Sequence, residues 1–598
     1  MHIQFLGGAS TVTGSRHLVT TSRAKILIDC GMFQGSPNET VRNRVPLGMD
    51  PSELDAILVT HAHLDHCGLL PLVVKEGFQG PIYLTSATAE LVEIVLLDSG
   101  RLQEEFAKRH LRWERRHPAD ASHEDAKAEA KYRAAVEEAR RAEEEGHVPT
   151  SIEPDDSAEP DDSAEPDDTT KTAATIGTAA APSAAAAADR SANAAEGGEE
   201  AAAGDAPPAS DQPGPGSMSP EQAALAASPN PEVATRNQPP VVEADLDAPL
   251  YDEDDAKRVM PLFKGVRYGK PVEVAPGITA TFDDAGHILG SAIIRLEIRE
   301  DDGGPATTIV FSGDLGRPGT PIIRDPTPEN GADYVVCEST YGGREHEPAD
   351  ESIRMLAEVV RATHDAGGVL LIPSFAIGRT QEVVWQLDRL IDEHKIPMLP
   401  LYLDSPMAQK ASDVYRRHPE FYDEETAKLL RDGNSPLDYP DQSITRSVDD
   451  SKAIEHAARP YMIVASNGML TGGRVVAHLR NLIDDPGATI LFVGYQGVGT
   501  LGAHLQAGAK TVKLDGQVRQ VRCRIRSISG FSAHADESEL LDWLRNFTDG
   551  RAKGSPGYPR AVFLVHGDPE AQIAIAPKVQ ALGFEVHVPT WREQVELT

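Results

Sequence analysis

At 598 residues the chain is too long for one hydrophobic core, so several compact units or one large composite are expected. Its 93 acidic and 57 basic residues leave a formal net charge of −36, which speaks against contact with nucleic acid over the general surface. An anionic substrate would have to find local positive charge, and bound metal ions are the strongest source of it.

The chain opens on an apolar, strand-like run over 3–6, without a basic leader or a hydrophobic signal core, and no apolar run reaches the roughly 18 residues of a membrane span. The four cysteines, Cys30, Cys67, Cys337 and Cys523, make no C-x-x-C pair, so neither a disulfide framework nor a thiolate zinc site is indicated. A cytoplasmic protein with no membrane partner is the expectation. Short apolar runs over 25–29 and 56–60 read as buried strands of an α/β protein.

Directly after the second run stands Thr60-His61-Ala62-His63-Leu64-Asp65-His66. Histidines are poor turn formers and repel one another when protonated, so three of them with a carboxylate in six positions are hard to explain as structure. Neutral imidazole and carboxylate are the ligands zinc takes when no thiolate is offered. A loop leaving a strand can aim His61 and His63 at one ion while Asp65 and His66, at the start of the next helix, face a second.

From about 118 to 249 large apolar residues almost vanish, and 29 acidic against 8 basic residues carry most of the excess negative charge. Such a segment cannot bury enough apolar area to offset its ordering entropy, so it reads as a disordered acidic insert. The repeat E-P-D-D-S-A over 153–168 should be extended and solvated. Residues 123–145, rich in Ala, Glu, Lys and Arg, are expected to form a charged helix projecting into solvent. The insert is either an acidic interaction arm or a tolerated loop insertion, and the second reading is favoured because such inserts cost little closure entropy.

Further strands are expected over 308–311, 334–337, 369–373, 490–493 and 561–565, with helices over 379–393 and 537–547, the latter capped by Asp536. Three more candidate ligands lie near strand ends: His287 between glycines, Asp314 in Ser312-Gly-Asp-Leu-Gly316, with two oxygens to offer two ions, and His566 in Val565-His-Gly-Asp568. Singly, each would more often be an ordinary loop residue. Glycine- and hydroxyl-rich segments over 373–379, 465–473 and 494–502 suit phosphate contact or tight turns equally well, and they match neither a Walker A loop nor a dinucleotide fingerprint. Arg522, Arg524 and Arg526 alternate with Val521, Cys523 and Ile525, making one strand face basic; a solvated face is favoured over an RNA guide.

Together these residues resemble the β-CASP branch of the metallo-β-lactamase superfamily, which includes RNase J and the cleaving subunit of the polyadenylation complex, and most of all its compact bacterial members. The resemblance rests on His61-x-His63-x-Asp65-His66, Asp29, His287, Asp314, Glu338 in Cys337-Glu-Ser-Thr-Tyr-Gly342, His534 in Phe531-Ser-Ala-His-Ala-Asp536, and His566. It spans nearly everything outside the acidic insert. It implies an α/β fold, an αββα sandwich built from 1–117, 250–342 and 527–598, with an α/β cap over 343–526 and the insert at 118–249.

The resemblance also implies roles. One zinc takes His61, His63, His287 and Asp314; the other takes Asp65, His66, Asp314 and His566, with Asp314 bridging and Asp29 orienting a ligand histidine. His534, beside the ions but not on them, would protonate the departing 3′-oxygen with Glu338 orienting it, and Asp65 joins them in the catalytic set. Ser374, Arg379 and Ser532 are the implied substrate contacts. The implied reaction is hydrolysis of RNA by a hydroxide formed between two zinc ions, giving 5′-phosphate and 3′-hydroxyl ends, with an endonuclease expected ahead of a 5′-exonuclease.

The alternatives are a DNA nuclease of the same branch, a small-molecule metallo-hydrolase and a non-enzymatic scaffold. His566 sides with RNA, since DNA-directed members tend to carry valine there; the cap sides against a small-molecule enzyme, and the intact ligand set against a scaffold. No KH-like extension or long C-terminal domain is seen, which speaks against the archaeal and RNase J architectures. RNA, a second copy of the chain and a basic partner for the insert are the partner expectations.

Overall fold

A computed structural model of the chain describes residues 1–145, 147, 148 and 246–598, except 302, 436, 498 and 515. Period-two alternation builds its first sheet. Ile26 and Ile28 face one core and Leu27 another, as do Ala56 and Leu58 against Ile57. Strands buried on both faces must be apolar at every position, which is why these runs lack a polar side.

The first sheet has eight strands in the order His147–Val148, Gln594–Glu596, His2–Gly7, Arg16–Thr20, Lys25–Ile28, Ala56–Leu58, Ile82–Thr85 and Phe263–Val266. The second has seven: Val586–His587, Ala561–Val565, Tyr334–Glu338, Thr307–Phe311, Ala292–Ile298, Ile278–Asp284 and Val272–Ala275. Phe5, Ile28 and Leu58 from one sheet and Phe282, Phe311 and Phe563 from the other fill the space between them. Helix Ser86–Glu114 covers the outer face of the first sheet through Leu91, Val92 and Leu96. Helices Glu537–Arg545 and Pro569–Ala581 cover the second through Leu540, Leu544, Ile575 and Val579. This is the expected αββα sandwich.

The cap is a separate, all-parallel sheet in the order Gln442–Ile444, Leu401–Asp404, Tyr461–Ala465, Val369–Pro373, Ala488–Phe492 and Arg524–Ser527, with apolar cores on both faces. Helices Ala349–Asp365 and Arg379–Asp392 close one core, and Arg474–Leu482 and Leu501–Gln506 the other.

One expectation about the acidic tract needs correcting. The helix there begins at Pro118 and runs to Glu145, and it does not project into solvent. Tyr132, Ala135 and Ala139 form a stripe three to four residues apart that packs on Phe33, Val45 and Trp591, while Arg42 pairs with Glu138 at 2.7 Å and Arg592 with Glu143. Two alanines in that stripe let the helix approach closely without the large apolar residues that usually signal burial. Beyond the helix, His147–Val148 join the first sheet, whereas residue 146 and residues 149–245, with the acidic repeat, lie outside the described residues.

Candidate metal centre

Strand Ala56–Leu58 leads into a loop carrying His61, and His63 then stands at the N-cap of the short helix Leu64–Cys67. His61 Nε2 lies 3.1 Å from His63 Nδ1, which lies 3.2 Å from His287 Nε2. Asp314 Oδ2 completes the set at 3.3 Å from His61 Nε2 and 3.6 Å from His287 Nε2. The loops bearing His287 and Asp314 touch backbone to backbone: a Cβ at Gly316 would fall 1.7 Å from the Gly286 carbonyl oxygen, so no other residue fits there.

A second set forms on the other oxygen of the same carboxylate. Asp314 Oδ1 lies 3.2 Å from His66 Nε2 and 3.4 Å from His566 Nδ1. His66 Nε2 and His566 Nε2 are 3.2 Å apart, and Asp65 Oδ2 is 3.6 Å from His566 Nε2. Behind them Asp29, which leaves its strand at φ 59°, accepts the Thr60 N–H and hydroxyl at 2.8 Å each and faces His66 Nδ1 at 2.7 Å. In its neutral form His66 would donate from Nδ1 to Asp29 and turn its Nε2 lone pair toward Asp314.

These residues fit a pair of divalent cations. Five imidazoles and two carboxylates converge here, and Asp314 Oδ1 is buried without a hydrogen-bond partner. Four ligand atoms around zinc at about 2.0–2.1 Å stand roughly 3.3–3.4 Å apart, and the distances above bracket that edge. Burial pushes His61 down to about 3 and His63 to about 4, and holds His287 well below its usual range, which keeps their lone pairs free. Burial opposes charge on His66 as well, but Asp314 and Asp29 outweigh it and hold this imidazole well above its usual range, a measure of how strongly the position attracts positive charge.

His534 belongs to the same cleft, with its ring centroid 4.5 Å from that of His287 and one of its nitrogens within 4.8 Å of Asp314 and His566. Its Nδ1, however, is taken at 3.1 Å by Glu338 Oε1. Glu338 is fully buried and is itself held by the Leu315 N–H at 2.7 Å and the Thr340 N–H at 3.3 Å. Ser532 Oγ accepts the His534 N–H at 3.3 Å. Arg379 lines a small cavity with His287 and Ala533, but its guanidinium is paired with Glu382. Ser374 is buried in the cap next to Phe375, whose ring lies 6.3 Å from that of His63.

Sequence reasoning missed the residues that support the His534 loop. His346 Nε2 donates to the His534 carbonyl at 3.1 Å, and the Glu347 carboxylate accepts the Ser529 and Gly530 N–H groups at 2.8 Å each. It also missed Thr340, whose hydroxyl lies 3.1 Å from His566 Nδ1. Thr340 sits in the Cys337-to-Gly342 motif and was open to suspicion; nothing local marks His346 or Glu347.

A two-sheet sandwich that gathers two His/Asp sets at its strand ends, joined to a parallel-sheet cap, defines a metallo-hydrolase of the metallo-β-lactamase type. Residues 14–152 match the family described as metallo-β-lactamase superfamily, 380–505 the β-CASP domain, and 519–589 the Zn-dependent metallo-hydrolase RNA specificity domain. The chain belongs to the β-CASP branch of the metallo-β-lactamase superfamily. Among its relatives, ribonuclease TTHA0252 of Thermus thermophilus is 29% identical over 595 residues, covering 100% of both chains. Transcription termination factor FttA of Methanosarcina mazei is 26% identical, covering 100% of this chain and 72% of the factor. The factor of the same name from Pyrococcus abyssi is 33% identical over 58% of this chain and 53% of its own.

Proposed function

We propose that the chain is a zinc-dependent ribonuclease that hydrolyses RNA phosphodiesters with two ions and leaves 5′-phosphate and 3′-hydroxyl ends. The observation that carries this reading is the meeting of two ligand sets on the two oxygens of Asp314, with His534 beside them and engaged by Glu338. The ribonuclease among the relatives and the RNA specificity domain support RNA as the substrate. When bound, the ions supply Lewis acidity toward phosphate oxygens and lower the pKa of water toward neutrality.

The chain's own residues do the rest. His61, His63, His287 and Asp314 hold one ion, and Asp65, His66, Asp314 and His566 the other, while Asp29 keeps His66 in the ligating tautomer. With Nδ1 committed to Glu338, His534 delivers its proton from Nε2 to the departing 3′-oxygen. Attack by water instead of the ribose 2′-hydroxyl fixes the end groups. No helix among the described residues is long and apolar enough to cross a membrane, and all four cysteines are buried and free, which supports a reducing compartment such as the cytoplasm. Endonucleolytic action is proposed ahead of 5′-exonucleolytic action.

The test is a time course on RNA labelled at either end, beside DNA of the same sequence, with zinc-loaded and chelator-stripped protein. Zinc-dependent internal fragments of RNA bearing 5′-phosphate are expected. Preferential cleavage of DNA, or cyclic phosphate ends on the RNA products, would contradict the reading.

A further inference from the structure

Between Lys510 and Arg526 the chain carries six basic residues, Lys510, Lys513, Arg519, Arg522, Arg524 and Arg526, against the single acidic Asp515, in a protein of net charge −36. The segment forms a hairpin, Thr511–Leu514 against Gln517–Gln520, and then Arg524–Ser527, the outermost strand of the cap sheet. Val512, Leu514 and Cys523 anchor it in the cap core. Arg522, Arg524 and Arg526 are exposed. Arg519 reaches Asp484 at 3.4 Å, but among the described residues no carboxylate pairs with those three arginines; Arg526 donates only to the neighbouring Ile525 carbonyl, at 3.3 Å.

The plainer account is protection of an open sheet edge, where charge discourages pairing with another chain. Lysine is the usual choice for that purpose, whereas this strand carries arginines, whose planar forks match phosphate oxygens. The charges on this strand are all positive, and the carboxylates beside its start, Asp484 and Asp485, are engaged by Arg519 and Arg459. Lys510 lies next to it, because its carbonyl accepts the Val521 N–H at 2.9 Å. Arg524 and Arg526 follow on one side of an extended strand, about 6.6 Å apart at the usual strand rise. The chain then reaches His534 only seven residues after Ser527, a span of at most about 25 Å.

We propose that this arginine edge is a docking surface for single-stranded RNA flanking the bond to be cut, binding its phosphates outside the catalytic cleft. The proposal rests on the ribonuclease reading above. Unpaired guanidinium groups in a row suit the oxygens of successive phosphates better than they suit any neutral partner. Such a surface reads no sequence; it raises the affinity of long substrates over short ones.

The test compares the zinc-loaded full chain with Arg522→Gln/Arg524→Gln/Arg526→Gln and with the corresponding triple lysine variant. Each is assayed on a long unstructured RNA and on an oligonucleotide that spans only the cleft. For the glutamine variant, KM on the long RNA should rise about tenfold at low salt, and the slope of log affinity against log salt should shrink by about 2, near 0.7 per lost phosphate contact. Its kcat and its KM on the short substrate should not change, and the lysine variant should stay close to wild type. Single Arg522→Gln and Arg526→Gln chains, each expected to give about a third of the slope change, keep the test available if the triple variant misfolds. An unchanged slope and KM, with RNA still cut, overturns the docking surface alone. Failure of the wild-type chain to cut any RNA overturns the ribonuclease reading and this one with it. A slope change seen only after removal of 149–243 would make the acidic tract the occupant of this edge, and would also overturn the proposal.

Discussion

Asp29→Asn tests how the proposed second ion would be held. In the native cluster all three partners of the Asp29 carboxylate donate to it: the Thr60 N–H, the Thr60 hydroxyl and His66 Nδ1, at 2.7–2.8 Å. An amide has one acceptor oxygen, and the Thr60 N–H, which cannot reorient, claims it. The amide NH2 group then faces the Thr60 hydroxyl, which can rotate, and His66 Nδ1, which must present a lone pair. The His66 proton moves to Nε2, the atom that stands 3.2 Å from both Asp314 and His566. Loss of such an orienting contact costs 10- to 100-fold in metal affinity, roughly 1.4–2.7 kcal/mol. Zinc titration against a competing chelator should therefore find one site near wild type and the other weakened by that factor, with RNA turnover partly restored by excess zinc. Two sites of wild-type affinity would refute the tautomer argument. Loss of both sites together would show that Asp29 acts through folding.

Asp65→Asn should reduce zinc from two ions to one and abolish cleavage without lowering Tm, measured by elemental analysis and thermal melts; full activity with one zinc would refute the two-ion assignment. His534→Ala should keep near-normal zinc and slow RNA cleavage by roughly 10² to 10⁴, with a much smaller loss on a p-nitrophenyl phosphodiester, whose leaving group needs no proton. Equal losses on both substrates would instead assign His534 to binding or to the metals. Removing 149–243 with a short linker should leave turnover on a short RNA intact, whereas removing 118–243 should lower Tm by several degrees, because Phe33, Val45 and Trp591 lose their cover. Equal melting temperatures for the two deletions would show that the helix Pro118–Glu145 contributes no stability.

Much of the sandwich and the cap was legible because buried strands leave unbroken apolar runs, and each run expected over 25–29, 56–60, 308–311, 334–337, 369–373, 490–493 and 561–565 corresponds to a strand. The His61-to-His66 cluster was legible because its spacing is local. The helix Pro118–Glu145 was misread for an equally physical reason: composition reports how much apolar area a segment owns, not how little a docked helix needs when alanines line its contact stripe. The support under His534 was invisible, since His346 and Glu347 act through backbone atoms of residues nearly two hundred positions away.

His287, Asp314 and His566 were ordinary loop residues one at a time, and the reason they meet lies in strand register. Parallel neighbours that start in register must also end together. Phe311 pairs with Val336, and Glu338 with Val565, so the residues just beyond, Asp314 and His566, emerge with Glu338 at one edge of the second sheet. In the first sheet Ile28 pairs with Leu58, which brings Asp29 beneath the loop that carries His61 and His66. His287 reaches the same edge through antiparallel partners: Ala292 pairs with Asp284 and Ile294 with Phe311, so the turn between Asp284 and Ala292 opens where strand Thr307–Phe311 ends. Residues separated by hundreds of positions are thus delivered to one line by hydrogen-bond register alone. A register shift in any of these strands would move its ligand by about 3.3 Å and turn it to the other face, more than a ligand bond of about 2 Å can absorb.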